Sequence, residues 1–98
     1  MPVNTYMTLI QNEVRAVSIK VRDQDDTPFI PDAAYSYITD EGGNILVSEA
    51  PAFVYENEVS AIIDDTVTSI PGIYYIVWKI NKYSYIYYHK SIINVETL

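Results

Sequence analysis

Cysteine is absent from this 98-residue chain. Its absence removes disulfides, thiolate metal sites and thiol nucleophiles from consideration, and it leaves the compartment open. Glycine is scarce, with three residues, and no Gly-rich phosphate loop can be drawn from them. Histidine occurs once, as His89. A lone imidazole cannot build a zinc site without further nitrogen or sulfur ligands. Basic residues are missing from a long central stretch. Between Asp23 and Trp78 there is no Lys or Arg, while eleven Asp and Glu fall in that span. Such acidity repels phosphate backbones, so no nucleic-acid partner is expected. No apolar run approaches the roughly 20 residues that cross a bilayer, so no membrane partner is expected. The start, Met1-Pro2-Val3-Asn4, lacks a basic segment followed by an apolar one. The expectation is a chain made in a cytoplasm and not exported through a signal peptide.

What the chain has in quantity is strand-forming side chains. There are ten tyrosines, Val and Ile are abundant, and the apolar fraction is 49%. β-Branched and aromatic residues suit a pleated, half-buried surface. A chain of this length fits one domain with one core.

The pattern along the chain agrees. Residues 1–13 read as an extended N-terminal arm carrying Tyr6, Met7, Leu9 and Ile10. Such an arm is either a strand of the domain or a segment laid on a partner. From Val14 to Arg22 apolar Val17, Ile19 and Val21 alternate with Ala16, Ser18, Lys20 and Arg22, the period of a half-buried strand. Asp23 to Asp32 holds two prolines and four aspartates and reads as a loop. Ala33 to Asp40 reads as a strand. Asp40-Glu41-Gly42-Gly43-Asn44 is the strongest turn, because adjacent glycines reach positive φ at low cost. Short strands follow at Ile45–Ser48 and Phe53–Tyr55, parted by Pro51. Glu56–Asp64 favours a strand, although Val59, Ile62 and Ile63 also fit helical spacing. Ser69-Ile70-Pro71-Gly72 turns the chain into Ile73–Ile80. Asn81-Lys82 is expected to connect that strand to a last one, Tyr83–Val95. About seven short strands with a turn every ten residues or so predict an all-β, immunoglobulin-like antiparallel β-sandwich spanning residues 14–98 as a single domain.

Two resemblances carry this further. Gly72-Ile73-Tyr74-Tyr75-Ile76 resembles the Gly-x-Tyr-x-Cys element of immunoglobulin domains, where the tyrosine forms the tyrosine corner. On that mapping Tyr74 is the corner and Ile76 stands where the cysteine would be. Ile70 occupies the place of the usual Asp. Across most of the chain, Val21-Arg22-Asp23-Gln24-Asp25-Asp26-Thr27-Pro28, Ile38-Thr39-Asp40-Glu41-Gly42-Gly43-Asn44 and Pro71 to Trp78 look like small immunoglobulin-like structural proteins of tailed bacteriophages. That resemblance implies a virion component: a capsid decoration, head–tail neck or tail accessory protein. It would be assembled in the host cytoplasm and contact other virion proteins and copies of itself.

Several constellations hold residue types that chemistry uses. Asp23, Asp25 and Asp26 offer oxygen ligands, but Pro28 and Ala34 stand where an EF-hand needs its Gly and Glu. Asp64 and Asp65 could supply an acid and a base only around a sugar-binding cleft. His89 lies between Tyr88 and Lys90 with no Gly-x-Ser-x-Gly elbow in the chain. The expectation is no enzyme, no cofactor, no metal and no small-molecule substrate. The feature that stands out is aromatic. Tyr83, Tyr85, Tyr87 and Tyr88 crowd the last strand, with Tyr83, Tyr85, Tyr87 and His89 on one face and Ile86, Tyr88, Lys90 and Ile92 on the other. A sandwich buries one face of such a strand. The residues expected to touch a partner are therefore Tyr6, Met7, Leu9, Ile10, Tyr83, Tyr85, Tyr87 and Tyr88, since tyrosine joins large area to a polar handle. The plainer reading is that cross-strand aromatic pairs stabilise the sheet. An alternative function is a carbohydrate-binding or adhesion module, with Trp78 or the tyrosines as the platform.

Overall fold

A computed structural model describes residues 5–98. In chain order its elements are β1 (Thr5–Ile10), β2 (Arg15–Lys20), β3 (Ala33–Asp40), β4 (Ile45–Pro51), β5 (Phe53–Tyr55), β6 (Glu58–Ile63), α1 (Asp65–Thr68), β7 (Gly72–Lys82) and β8 (Tyr85–Glu96). The strands form two sheets, β1-β8-β7-β3-β4 and β2-β6-β5. Pairing is antiparallel throughout except for β1, which runs parallel to β8 from Thr5 opposite Ser91 to Ile10 opposite Glu96. The sheets face each other as the expected sandwich.

Period-2 alternation decides what lies between the sheets. From β7 come Tyr74, Ile76, Trp78 and Ile80; from β8 Ile93 and Val95; from the facing sheet Val17, Ile19, Val59 and Ile63. Trp78 is wholly buried, and its indole N–H needs a partner there. It donates to Ser91 Oγ at 3.0 Å. That hydroxyl lies 2.6 Å from Thr5 Oγ1, so three strands share one buried polar chain. The Tyr74 hydroxyl donates to the carbonyl of Ile70, which is the tyrosine corner the Gly-x-Tyr pattern implied. Ile76, in the cysteine's place, is wholly buried.

Three expectations need correction. The N-terminal segment is not an arm outside the domain: residues 5–10 are the edge strand β1, and only 1–4 lie outside the described residues. Leu9 is wholly buried, a contribution of about 2 kcal/mol for such a side chain, and this anchors β1. The last hairpin turns at Tyr83-Ser84 instead of Asn81-Lys82, because Lys82 pairs with Tyr85. Asp32 fixes that position. Its carboxylate accepts the Tyr83 backbone N–H at 2.7 Å and faces Lys82 Nζ at 3.6 Å. Those charged contacts offset the cost of a positive φ of 56° at Tyr83, of order 1 kcal/mol for a non-glycine residue. The strand beginning at Ile45 runs on to Pro51. Asp65–Thr68, for which the pattern gave no expectation, forms one helical turn, capped by Asp64, whose carboxylate accepts the Thr66 N–H at 3.0 Å. Glu58–Ile63 is a strand, as its alternation favoured.

The turn at 40–44 is held by Asp40, which accepts from the Asn44 backbone at 2.9 Å and its side-chain amide at 3.0 Å. Those bonds hold the Asp40 carboxyl below the usual aspartate range.

Removing the buried hydroxyl should expose how much the polar chain matters. Ser91→Ala leaves the Trp78 N–H without its acceptor and is expected to cost about 1–3 kcal/mol. Tyr74→Phe, which loses one hydrogen bond at the corner, is expected to cost about 1 kcal/mol. Urea unfolding followed by Trp78 fluorescence measures both.

Candidate interaction surface

β7 and β8 are 11 and 12 residues long, whereas the facing strands β2 and β6 have six each. The half of the hairpin near Gly72 and Val95 covers the core. The half near the Tyr83-Ser84 turn extends past the second sheet, where the loop after β2 partly covers it. Burial along β8 records the change: Ser91, Ile93 and Val95 are buried, while Tyr85 through Tyr88 are all exposed. On the projecting end Tyr83 is 80%, Tyr85 64% and Tyr88 59% exposed, and Ile86 is 54% exposed. Tyr87 is the least open of the four tyrosines at 36%, because its ring packs on Phe29 with centroids 5.7 Å apart.

The structure therefore divides the eight residues expected at a contact. It gathers Tyr83, Tyr85, Tyr87 and Tyr88 on one projecting hairpin. Tyr6 is exposed and stands opposite Ile92 on the outward face of the five-stranded sheet. Ile10 is partly open at the far end of β1. Leu9 and Met7 do not join them. Both point inward, Leu9 within the core and Met7 packed against it, because β1 presents its odd-numbered residues to the interior. The sequence offered no signal for this choice, since apolar residues on both faces of a short segment leave its register undetermined.

On the outward face, neighbouring strands bring Tyr35, Lys79 and Tyr88 into one row and Tyr37, Val77 and Lys90 into the next. Lys90 Nζ lies 4.1 Å from the Tyr75 ring centroid and Lys79 Nζ 5.6 Å from that of Tyr35, within cation–π range. This row of half-buried residues and lysines was not anticipated from the chain. Its signal was present in the odd-numbered residues of Ile73–Ile80, which are as large as the core-facing ones.

A cleft of about 550 Å³ opens between the inner face of the projecting hairpin and the loop after β2. Ile80, Tyr87 and Phe29 give it apolar walls; Arg22, Asp26 and His89 add polar groups. His89 Nε2 lies 3.4 Å from Thr5 Oγ1, and partial burial lowers the imidazole pKa from its ordinary value. Trp78 cannot serve as a sugar platform, because it is wholly buried.

The carboxylates singled out in the sequence have local duties. Asp23 Oδ1 accepts the backbone N–H groups of Asp25 at 2.9 Å and Thr27 at 3.0 Å, closing the loop. Asp26 lies 3.9 Å from Arg22. Asp64 caps α1. Glu13 accepts the Ile10 N–H at 2.9 Å; that bond, joined by the neighbouring Arg15, holds its carboxyl below the ordinary glutamate value. Among the described residues no three His, Asp or Glu side chains converge as a metal site would require.

No protein-family model matches the chain, and no curated protein matches it. Among solved structures it is similar to the immunoglobulin-like domain of mouse leukocyte-associated immunoglobulin-like receptor 1, crystallised as a strand-swapped dimer. The TM-score is 0.51 at 14% identity, over 97% of this chain and 90% of that one. At that identity the likeness establishes an immunoglobulin-like all-β fold and nothing about activity.

His89 gives this surface a pH dependence of defined sign. The fold favours the neutral ring, so the unfolded chain binds its proton more readily. The contribution to stability is complete above the ordinary histidine value of 6.5 and is lost as pH falls below it toward the depressed folded value. An NMR titration of His89 should give a midpoint below 6.5, and His89→Gln should flatten the fall in unfolding free energy over that window.

Proposed function

We propose that this chain is a non-enzymatic structural protein of a tailed-bacteriophage virion, acting through protein–protein contacts as a capsid decoration, head–tail neck or tail accessory protein. The single observation that carries the contact role is the projecting hairpin. Tyr83, Tyr85, Tyr88 and Ile86 stand at its end with most of their area in water, and Tyr87 with about a third of its own. Monomeric surfaces rarely gather large apolar groups without use, and tyrosine is among the residues that dominate binding energy at interfaces. The virion assignment draws on the turn motifs at 21–28, 38–44 and 71–78, and its partners would be other virion proteins and further copies of the chain.

A second reading, a carbohydrate-binding or adhesion module, is favoured by the cleft beside Tyr87 and Tyr88. That cleft combines aromatic walls with Asp23, Gln24, Asp26 and Arg22, a mixture suited to stacking on a sugar and bonding its hydroxyls. A glycan array probed with and without calcium tests it, and silence in both conditions counts against it.

The virion role is tested on gradient-purified particles from a host that carries the gene. Mass spectrometry is expected to find this chain at a fixed ratio to the major capsid protein. In particles carrying Tyr85→Ala and Tyr88→Ala, that ratio should fall at least tenfold, the effect of losing about 1.4 kcal/mol or more of contact energy. Particles that lack the chain altogether would refute the role.

A further inference from the structure

The cleft between the projecting hairpin and the loop after β2 asks two different things of a ligand. Its floor is apolar. Ile80 on β7, Ile19 on β2 and Val21 just after β2 line it, and all three are buried. Ile80 stands opposite Tyr87 across the β7–β8 pair, and the Tyr87 ring packs on Phe29, so one wall is aromatic. A ligand that turned only hydroxyls to this floor would strip them of water and return no hydrogen bond. The floor therefore suits a methyl or a comparable apolar group. The second demand comes from His89. It follows Tyr87 by two positions on the same inward face of β8 and lines the cleft beside it. Among the described residues the ring's one hydrogen-bond contact is with Thr5 Oγ1, at a long 3.4 Å, so the imidazole keeps capacity for a ligand. Partial burial favours its neutral form, which offers one N–H donor and one lone-pair acceptor. A secondary amide carries the complementary groups, and an acetamido group joins that amide to a methyl. The rim mixes both signs of charge: Lys20 and Arg22 stand beside Asp23 and Asp26. Such a rim complements a neutral ligand better than an ion.

We propose that this cleft takes a neutral N-acetylhexosamine, with the acetamido methyl on Ile80 and Val21, the amide at His89 and the sugar ring against Tyr87. The proposal rests on the carbohydrate reading of the cleft and names the sugar class that reading leaves open. The volume, about 550 Å³, lies within the range of small-molecule sites. A plain hexose would meet the same aromatic wall and the same polar rim. It would leave the floor without an apolar partner and His89 without an amide, and the acetamido group supplies both.

The test is an NMR titration of the full, nitrogen-labelled chain at neutral pH. The probes are the methyl glycosides of N-acetylglucosamine, N-acetylgalactosamine, glucose and galactose. At least one acetamido sugar is expected to shift the amides of Val21, Tyr87 and His89. Its parent hexose is expected to bind about tenfold more weakly or worse, the combined effect of one buried methyl and one hydrogen bond. In His89→Ala that preference should shrink by about fivefold, the worth of one hydrogen bond. In Tyr87→Ala the acetamido sugar and its parent should weaken together. Native-like dispersion of the amide resonances would show both variants folded. A parent hexose that binds the cleft as tightly as its acetamido derivative would overturn the proposal and leave the carbohydrate reading standing. An unchanged preference in His89→Ala would also overturn it, as would shifts confined to Tyr37 and Tyr75 on the outward face of the sheet. No shift with any of the four sugars would overturn it too, and a silent glycan array besides would end the carbohydrate reading with it.

Discussion

The constraint on which this molecule depends is the unequal length of its two layers. Strands rise about 3.3 Å per residue, so β7 and β8 outrun the six-residue strands they face by roughly 17 and 20 Å. A sandwich core exists only where both layers are present. Where the second layer ends, the same alternation that buried Ile93 and Val95 leaves Tyr85 on the inward side with little to face. The loop after β2 fills part of the gap through Phe29, and the rest is cleft and exposed tyrosine. One hairpin therefore supplies both the centre of the core, around Trp78, and the most aromatic surface of the molecule.

The polar interior serves the same arrangement. Trp78, Ser91 and Thr5 link the neighbouring strands β7, β8 and β1. A buried indole N–H left without an acceptor costs more than a made bond returns, so the chain of hydroxyls specifies how these three strands align. From Ser91 onward the edge of β8 away from β7 is paired with β1; toward Tyr85 it is paired with no other described strand.

Much of the fold was legible in the sequence because it is written in local pattern. The alternation of Val17, Ile19 and Val21, the Gly42-Gly43 turn and the Gly72-Ile73-Tyr74 corner each depend on residues close together. What the sequence hid depends on residues far apart. Nothing near Thr5 announces a parallel partner 86 positions away at Ser91. Nothing near Asn81 announces that Asp32 will accept the Tyr83 N–H and shift the turn by two residues. The candidate surface divided along the same line. The hairpin tyrosines were readable from their crowding on one strand, whereas Leu9 and Met7 could be assigned to the core only once β1 had a register.

The central claim, that β8 changes from core strand to open projecting strand near Lys90, is tested most directly by residue-resolved amide hydrogen exchange on dilute, monomeric protein. The account predicts slow exchange through Ser91–Val95, where both edges of β8 are paired, and fast exchange at those amides of Tyr85–Lys90 that point away from β7. Uniformly slow exchange along the whole of β8 would contradict it.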